Sequence, residues 1–296
     1  MARQGAAAVL TIRPAAFGFN PETAASNRFQ RPVEGELAAL GRAEADGLAD
    51  ALARAGIEVC QVEDAPAPPK PDAVFPNNWV GFHPDGTVAL YPMEAPIRRA
   101  ERRELVVAEV LARTGFVERR RLDFTAHERE GRYLEGTGSL VLDHLQRVAY
   151  AARSSRTDPG LCATWGRAMG YELVLFDAIG PGDAPVYHTN VVLAIGTTWA
   201  AVAAHAIAPA DRERVLERLQ RDREVIPLDP AAVSGFAGNL LELAGPAIAL
   251  STTALAALGP AARTLERHGA LVPVSIPTIE AAGGGSVRCM LAEVFR

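Results

Sequence analysis

The chain has little cysteine, no excess of positive charge and no long apolar run, and each shortage removes a class of protein. Of its 296 residues only Cys60, Cys162 and Cys289 are cysteines. Odd in number, widely spaced and without a Cys-x-x-Cys pair, they argue against a disulfide framework and against a cysteine zinc site. No stretch approaches the roughly eighteen uninterrupted apolar residues of a membrane-spanning helix. Residues 1–10 lack the basic, apolar and cleavage-site order of a secretory signal. The expectation is a reduced, cytoplasmic protein without membrane contact. Thirty Lys and Arg against 35 Asp and Glu give a net charge of −5, which offers no electrostatic footprint for nucleic acid. The basic runs Arg98-Arg99 with Arg102-Arg103 and Arg119 to Arg121 read as solvated surface or internal ion pairs. A phosphate loop, a paired zinc motif and a serine nucleophile elbow are all missing. The glycine run from Gly283 lacks the strand-then-helix context of a dinucleotide site.

What the chain does have is ordinary for a globular protein, with 49% apolar and 22% charged residues. Short apolar strands alternate with amphipathic helices. Strands are expected over 9–12, 57–62, 87–91, 173–176, 199–203 and 272–275, and 191–195 and 288–294 read the same way. Residues 139–142 with 147–151, and 239–243 with 247–250, read as hairpins. Helices are expected over 34–55, 97–114, 158–169, 209–219 and 253–267, with Gly56 and Gly170 as stop signals. Strand, strand, helix recurs every fifty to sixty residues or so, a period at which repeat architectures come into question. No literal repeat is visible, so periodicity leaves a propeller and an α/β sandwich both open. No low-complexity linker divides the chain, and one domain over 1–296 is expected.

Four segments place polar groups where strand or loop ends should lie. In the first, Asp72 precedes Asn77, Asn78 and Trp79, a set able to hold a planar, nitrogen-rich ligand but equally an Asx-turn cluster. In the second, Glu135 leads into Gly136 and Gly138; a substrate approaching the backbone and a β-bulge with a solvated acid are both compatible. In the third, His188 and Asn190 stand just before an apolar strand. In the fourth, Cys289 follows three glycines and neighbours Arg288. A thiol there is either a small buried hydrophobe or a nucleophile. A nucleophilic cysteine needs a base and a group to orient that base, and His188 and Glu135 are the natural candidates.

Taken in this order, from Ala73-Val-Phe-Pro-Asn-Asn-Trp79 to the segment of Cys289, these motifs resemble the guanidine-modifying superfamily. Its members include arginine deiminases, amidinotransferases and dimethylarginine dimethylaminohydrolases. The bacterial arginine-deiminase-related, citrulline-utilisation hydrolases look nearest. The resemblance covers almost the whole chain and implies a single-domain α/β fold, a five-fold pseudo-symmetric propeller with the active site in its central channel. Carried over by motif, Cys289 resembles the nucleophile, His188 the histidine of a His-x-[Asp/Asn/Ser] segment, and Glu135 the acid of an [Glu/Asp]-Gly-Gly-Asp region. Asp72 matches an aspartate that binds the guanidinium. Arg98 and Arg156 align with arginines that hold the substrate carboxylate, although Arg99 and Arg153 lie close by.

The chain departs from its relatives at Asn77, Asn78, Asn190 and Gly138, where they commonly carry acids. A buried carboxylate pairs well with a cation and is costly without one. Fewer acids therefore suit a less positive group, a neutral ureido or a substituted guanidine. The expected activity is cysteine-dependent hydrolysis of a C–N bond in citrulline, arginine or a methylated arginine, without metal or organic cofactor. An amidinotransferase and a propeller that only binds amino acids are the alternatives. The only partner implied is a small guanidino or ureido amino acid, and the oligomeric state, homo-oligomer included, stays open.

Overall fold

A computed structural model describes residues 3–180 and 184–296. In chain order the elements are β1 (Ala8–Arg13), α1 (Pro21–Ala24), α2 (Leu37–Arg54), β2 (Glu58–Glu63), β3 (Val80–Phe82), β4 (Thr87–Leu90), α3 (Glu104–Thr114) and β5 (Arg120–Asp123). They continue with α4 (Gly136–Ser139), β6 (Val141–Asp143), β7 (Val148–Ala152), α5 (Pro159–Met169), β8 (Glu172–Phe176), β9 (Leu193–Ile195), β10 (Trp199–Val202), α6 (Pro209–Gln220) and β11 (Glu224–Pro227). The last are α7 (Pro230–Ser234), β12 (Leu241–Leu243), β13 (Ala247–Ser251), α8 (Thr252–Leu258), α9 (Ala261–Glu266), β14 (Ala270–Val274) and β15 (Ala292–Val294).

One pattern organises them. A short strand pairs antiparallel with the next, and a helical connection then returns the chain to a third strand, parallel to the second. It occurs in β6–β7–β8, β9–β10–β11 and β12–β13–β14. It recurs in β3–β4–β5. The fifth instance joins the two ends of the chain: β15 pairs antiparallel with β1, and β1 parallel with β2. A single pairing, Val294 with Phe82, links β15 to β3 and merges two units into a six-stranded sheet.

The central strand of each unit is apolar and buried; β7 and β13 are buried at every position. Helices cover the sheets with their apolar stripes. In α2, Ala45, Leu48 and Leu52 recur at helical spacing and pack beside Val9 of β1. Truncating Leu48 to alanine there would cost about 2–5 kcal/mol. Helix starts follow capping chemistry, as in α5, where Asp158 accepts from the Leu161 N–H and Pro159 occupies the first turn. No helix of the described residues is long and apolar enough to cross a membrane.

The departures from the sequence expectation have physical causes. The helix expected over 97–114 is a 3-10 turn, Pro96–Glu101, followed by α3, with Arg102 and Arg103 extended between them. Arg98 and Glu101 turn inward as a buried pair, while Arg102 and Arg103 reach Glu128 and Asp64. The helix expected over 253–267 breaks between α8 and α9 at Gly259 and Pro260, a pair ill suited to a helix interior. The edge strands β5 and β11 escape the reading because β5 is mostly exposed, β11 buries only Ile226, and neither carries apolar alternation.

Strands expected to begin at 139, 191, 239 and 288 begin instead at Val141, Leu193, Leu241 and Ala292. In three of the four, the residues gained by the connection form a tight turn: α4, a 3-10 turn over Thr189–Val191, and another over Val287–Met290. A fourth such turn, Pro76–Asn78, precedes β3. These turns carry the polar segments singled out above.

Candidate active site

The five approaches to the first strand of each unit converge on one place. Asn77, Gly138, Asn190 and Cys289 each stand three residues before that strand, and Asn78 and Asn239 two before it. Cys289 is buried, with 5% of its surface exposed. Its Sγ accepts from Asn239 Nδ2 at 3.2 Å and Asn190 Nδ2 at 3.4 Å, and its N–H donates to Asn239 Oδ1 at 3.4 Å. Gly284 adopts φ +64°, and a Cβ at Gly285 would press on Phe75, so this loop needs glycine at both positions. Asn27 Nδ2 and Tyr187 OH both donate to the Gly284 carbonyl and fix the loop.

A narrow cavity of about 20 Å³ lies over the thiol. Cys289, His188, Asp72, Asn78, Arg98, Arg156 and Tyr187 all line it. Arg99 and Arg153 do not; they are partly exposed and pair with Glu128 and Asp177. Asn77, Glu135 and Asn190 also lie outside the lining and stand behind it. Asn77 rests on Thr137, and its backbone carbonyl sits where a Cβ on Gly136 would have to go.

Glu135 stands beside His188, as expected of a group that orients the base. Its Oε1 accepts the Glu94 N–H at 3.0 Å, and its Oε2 lies 2.8 Å from His188 Nε2 and 3.4 Å from Arg156 Nη1. With both oxygens engaged, it orients the histidine and is not open to the cavity. Burial alone would raise its pKa, but the Arg156 charge and the His188 bond overcome that and hold the carboxyl well below the usual range. His188 is lowered as well, for a different reason. Burial, with help from the Arg156 and Arg98 charges, pushes it down to about 4 against the pull of Glu135. At neutral pH the imidazole is uncharged.

The two arginines are held by the protein. Arg98 reaches Glu101 through Nε and Nη2, both at 2.9 Å, Asn78 Oδ1 through Nη1 at 2.8 Å, and the Phe75 carbonyl at 3.2 Å. Arg156 engages Glu135, Glu94, Ser26 and the Thr23 carbonyl, and lies over the Tyr187 ring. Asp72 accepts from Asn20 at 2.6 Å and Thr23 at 3.1 Å on Oδ2, and lies 3.8 Å from Arg98 Nε. Burial raises its pKa, opposed by Arg98. Its Oδ1 has no partner. Asn78 Nδ2 is likewise buried without a partner, as are Asn77 Oδ1 and Asn190 Oδ1. The cavity thus presents at least one open acceptor and one open donor next to a thiol and a neutral imidazole.

Gly138 makes that arrangement sterically allowed. A Cβ there would lie 2.6 Å from Asn78 Nδ2 and 2.7 Å from His188 Nδ1. A side-chain acid at this position is incompatible with the two neighbours as they stand.

Sequence reasoning overlooked Asn239 and Glu101. Asn239 carries a signal in retrospect, since it occupies the same offset before β12 that Asn78 occupies before β3. Glu101 sat inside a basic run read as solvated surface or internal ion pairs, and its buried pair with Arg98 is the second of these. Among the described residues no group of three or more His, Cys, Asp or Glu could hold a metal ion. Cys60 and Cys162 are buried and unpaired away from this cavity, and burial pushes the Cys162 thiol up to about 12.

The family described as N,N dimethylarginine dimethylhydrolase, eukaryotic, matches residues 13–296. No curated protein matches the chain. Among solved structures, the substrate-bound N-terminal domain of an arginine dihydrolase from the ornithine-ammonia cycle in cyanobacteria is similar, with a TM-score of 0.74 at 16% identity. The match covers 98% of each chain. Against the apo structure of that dihydrolase the TM-score is 0.75 at 15% identity. The match takes in 98% of this chain and 40% of the other, so this chain spans less than half the dihydrolase's length. An amidinotransferase of the saxitoxin biosynthetic pathway from Microseira wollei gives 0.74 at 14% identity, covering 99% of this chain and 95% of that one. At such identities the likeness is one of fold.

Proposed function

The chain belongs to the N,N dimethylarginine dimethylhydrolase family, within the guanidine-modifying superfamily, and from that premise we propose a cysteine-dependent hydrolase favouring a neutral ureido group over a guanidinium. Membership makes it an enzyme of guanidino-type C–N bonds, hydrolase or transferase. The finer reading rests chiefly on Asn78 Nδ2, a buried donor without a partner on the cavity wall. A guanidinium offers N–H donors alone, so it meets that donor with another donor. A ureido group brings a carbonyl oxygen for Asn78 and N–H groups for Asp72 Oδ1, and each open buried atom finds its complement. In this reading the amino-acid carboxylate is received by Arg98 and Arg156, which line the same cavity.

In the reaction, His188 takes the thiol proton as Cys289 Sγ bonds to the planar carbon. Asn190 and Asn239 orient the sulfur, and their hydrogen bonds strengthen as charge builds on it. The imidazolium, stabilised by Glu135, then delivers its proton to the leaving nitrogen as the C–N bond breaks. Neutral again, His188 takes a proton from water; the oxygen attacks the thioacyl carbon, the sulfur departs, and the imidazolium returns the proton to it. The five hairpin units close, in this reading, into a single-domain five-bladed propeller, with the turns before each first strand meeting on the axis.

Release of ammonia from citrulline, arginine and agmatine, and of methylamine or dimethylamine from methylated arginines, measured side by side, tests the assignment. Citrulline is expected to turn over faster than arginine; a clear preference for arginine overturns the ureido reading. A new guanidino product on adding glycine or lysine would make the enzyme a transferase instead.

A further inference from the structure

The orientation of Asn78 is imposed on it, and the residue responsible lies outside the cavity lining. Glu101 ends the 3-10 turn Pro96–Glu101 and is 3% exposed. Its two oxygens grip Arg98 in a two-pronged ion pair, Oε1 to Nε and Oε2 to Nη2, both at 2.9 Å. That geometry fixes the plane of the guanidinium as well as its position. Nη1 then faces Asn78 at 2.8 Å. An arginine can only donate, so the Asn78 carboxamide must turn its oxygen toward Arg98 and its NH₂ away. The NH₂ so displaced is the unpartnered donor on the cavity wall, beside His188 Nδ1 across Gly138.

We propose that Glu101 is a specificity-positioning residue: by clamping Arg98 it locks Asn78 with its NH₂ toward the reacting carbon, so the site accepts a carbonyl oxygen there and disfavours an N–H. This rests on the ureido reading of the site. The relay runs from Glu101 through Arg98 to Asn78. A carboxamide in place of Glu101 has one acceptor for two N–H groups and must point its own NH₂ at the guanidinium. Arg98 then shifts, and Asn78 is free to present either end. If Glu101 is instead a plain counter-ion for a buried arginine, its loss weakens all substrates alike.

The test is the ratio of kcat/KM for citrulline to that for arginine in the wild type, Glu101→Gln, Asn78→Asp and the double variant. The expected result is a ratio lowered at least ~10-fold in Glu101→Gln, mostly through citrulline. The double variant should show no further drop beyond Asn78→Asp, since the two residues act in series. An unchanged ratio with both substrates weakened in parallel overturns the proposal. If Glu101→Gln does not fold, Arg98→Lys takes its place: it keeps the charge and removes the two-pronged geometry, and an unchanged ratio there is equally fatal. A wild type that prefers arginine removes the ureido reading by itself. A ratio that still moves in Glu101→Gln then keeps Glu101 as the residue that orients Asn78, and one that stays put overturns both.

Discussion

His188 Nε2 and Glu135 Oε2 lie 2.8 Å apart, both buried, yet the carboxylate does not succeed in keeping its histidine protonated. Burial disfavours the imidazolium, and Arg156 and Arg98 contribute positive charge to the same volume. The pair is therefore a neutral base backed by an anion, ready to accept a proton and then be stabilised by Glu135. The carbon-13 shifts of labelled histidine, with His188 assigned from a His188→Asn variant, should show an uncharged ring at pH 7 and a midpoint near about 4. A midpoint near the ordinary 6.5 would remove the argument.

Cys289→Ser should lower turnover by about 10³-fold or more. The substitution is nearly isosteric, so the melting temperature should stay within about 2 °C of the wild type. Intact mass after rapid quenching should show an adduct in the wild type and none in the variant. Substantial residual turnover would place the nucleophile elsewhere.

Gly138→Ala tests the spatial claim. The added methyl meets Asn78 Nδ2 and His188 Nδ1 inside normal contact distance. We expect kcat/KM to fall by about 100-fold while the fold persists, since a misplacement of about 1 Å at the reacting centre is enough for that loss. Gly47→Ala is the control. Gly47 lies within α2 with nothing near its missing Cβ, and alanine there should raise stability by about 0.5–1 kcal/mol with activity unchanged.

Stability should fall on mild acidification. Burial pushes His83 to about 4, His144 to about 3 and His188 to about 4, all below their ordinary value. In the window below about pH 6.5 the unfolded chain binds protons that these folded rings refuse, so stability present above that pH is progressively lost as it falls toward 4. At pH 5 the loss is about 2 kcal/mol for each histidine. Glu101, pushed up to about 7 by burial, gains stability over the same window and offsets roughly one histidine's share. Urea midpoints at pH 7 and pH 5 measure the net loss, and His144→Gln should shrink it by about half.

Much of the repeat was legible from strand and helix patterning, because apolar central strands such as β7 and β13 announce themselves. The edge strands β5 and β11 were not, since a strand that buries little needs no apolar alternation. The site was legible where a polar residue stood against an apolar strand, as with His188 and Cys289. Asn239 stood in the same setting, and its meaning comes only from its offset before β12 matching that of Asn78 before β3. Glu101 was hidden for a different reason. A run of arginines reads as surface or internal ion pairs, and nothing local tells which of them the chain turns inward when its helix breaks. Roles were harder than places: the pairing of Glu135 with His188 was expected, but only its further contacts with Glu94 and Arg156 reveal that both its oxygens are already taken.

The pairing of β15 with β1 has a consequence for how the molecule comes into being. The sheet begun by residues 8–13 stays open on one side until residues 292–294 arrive, and Cys289 lies just ahead of that last strand. A growing chain on the ribosome therefore carries Asp72, Glu135, His188 and both arginines long before it has a sulfur to set among them. Assembly and arming are the same event. A truncation or stall just after residue 280 leaves a chain that carries Asp72, Glu135 and His188 but not the thiol they surround.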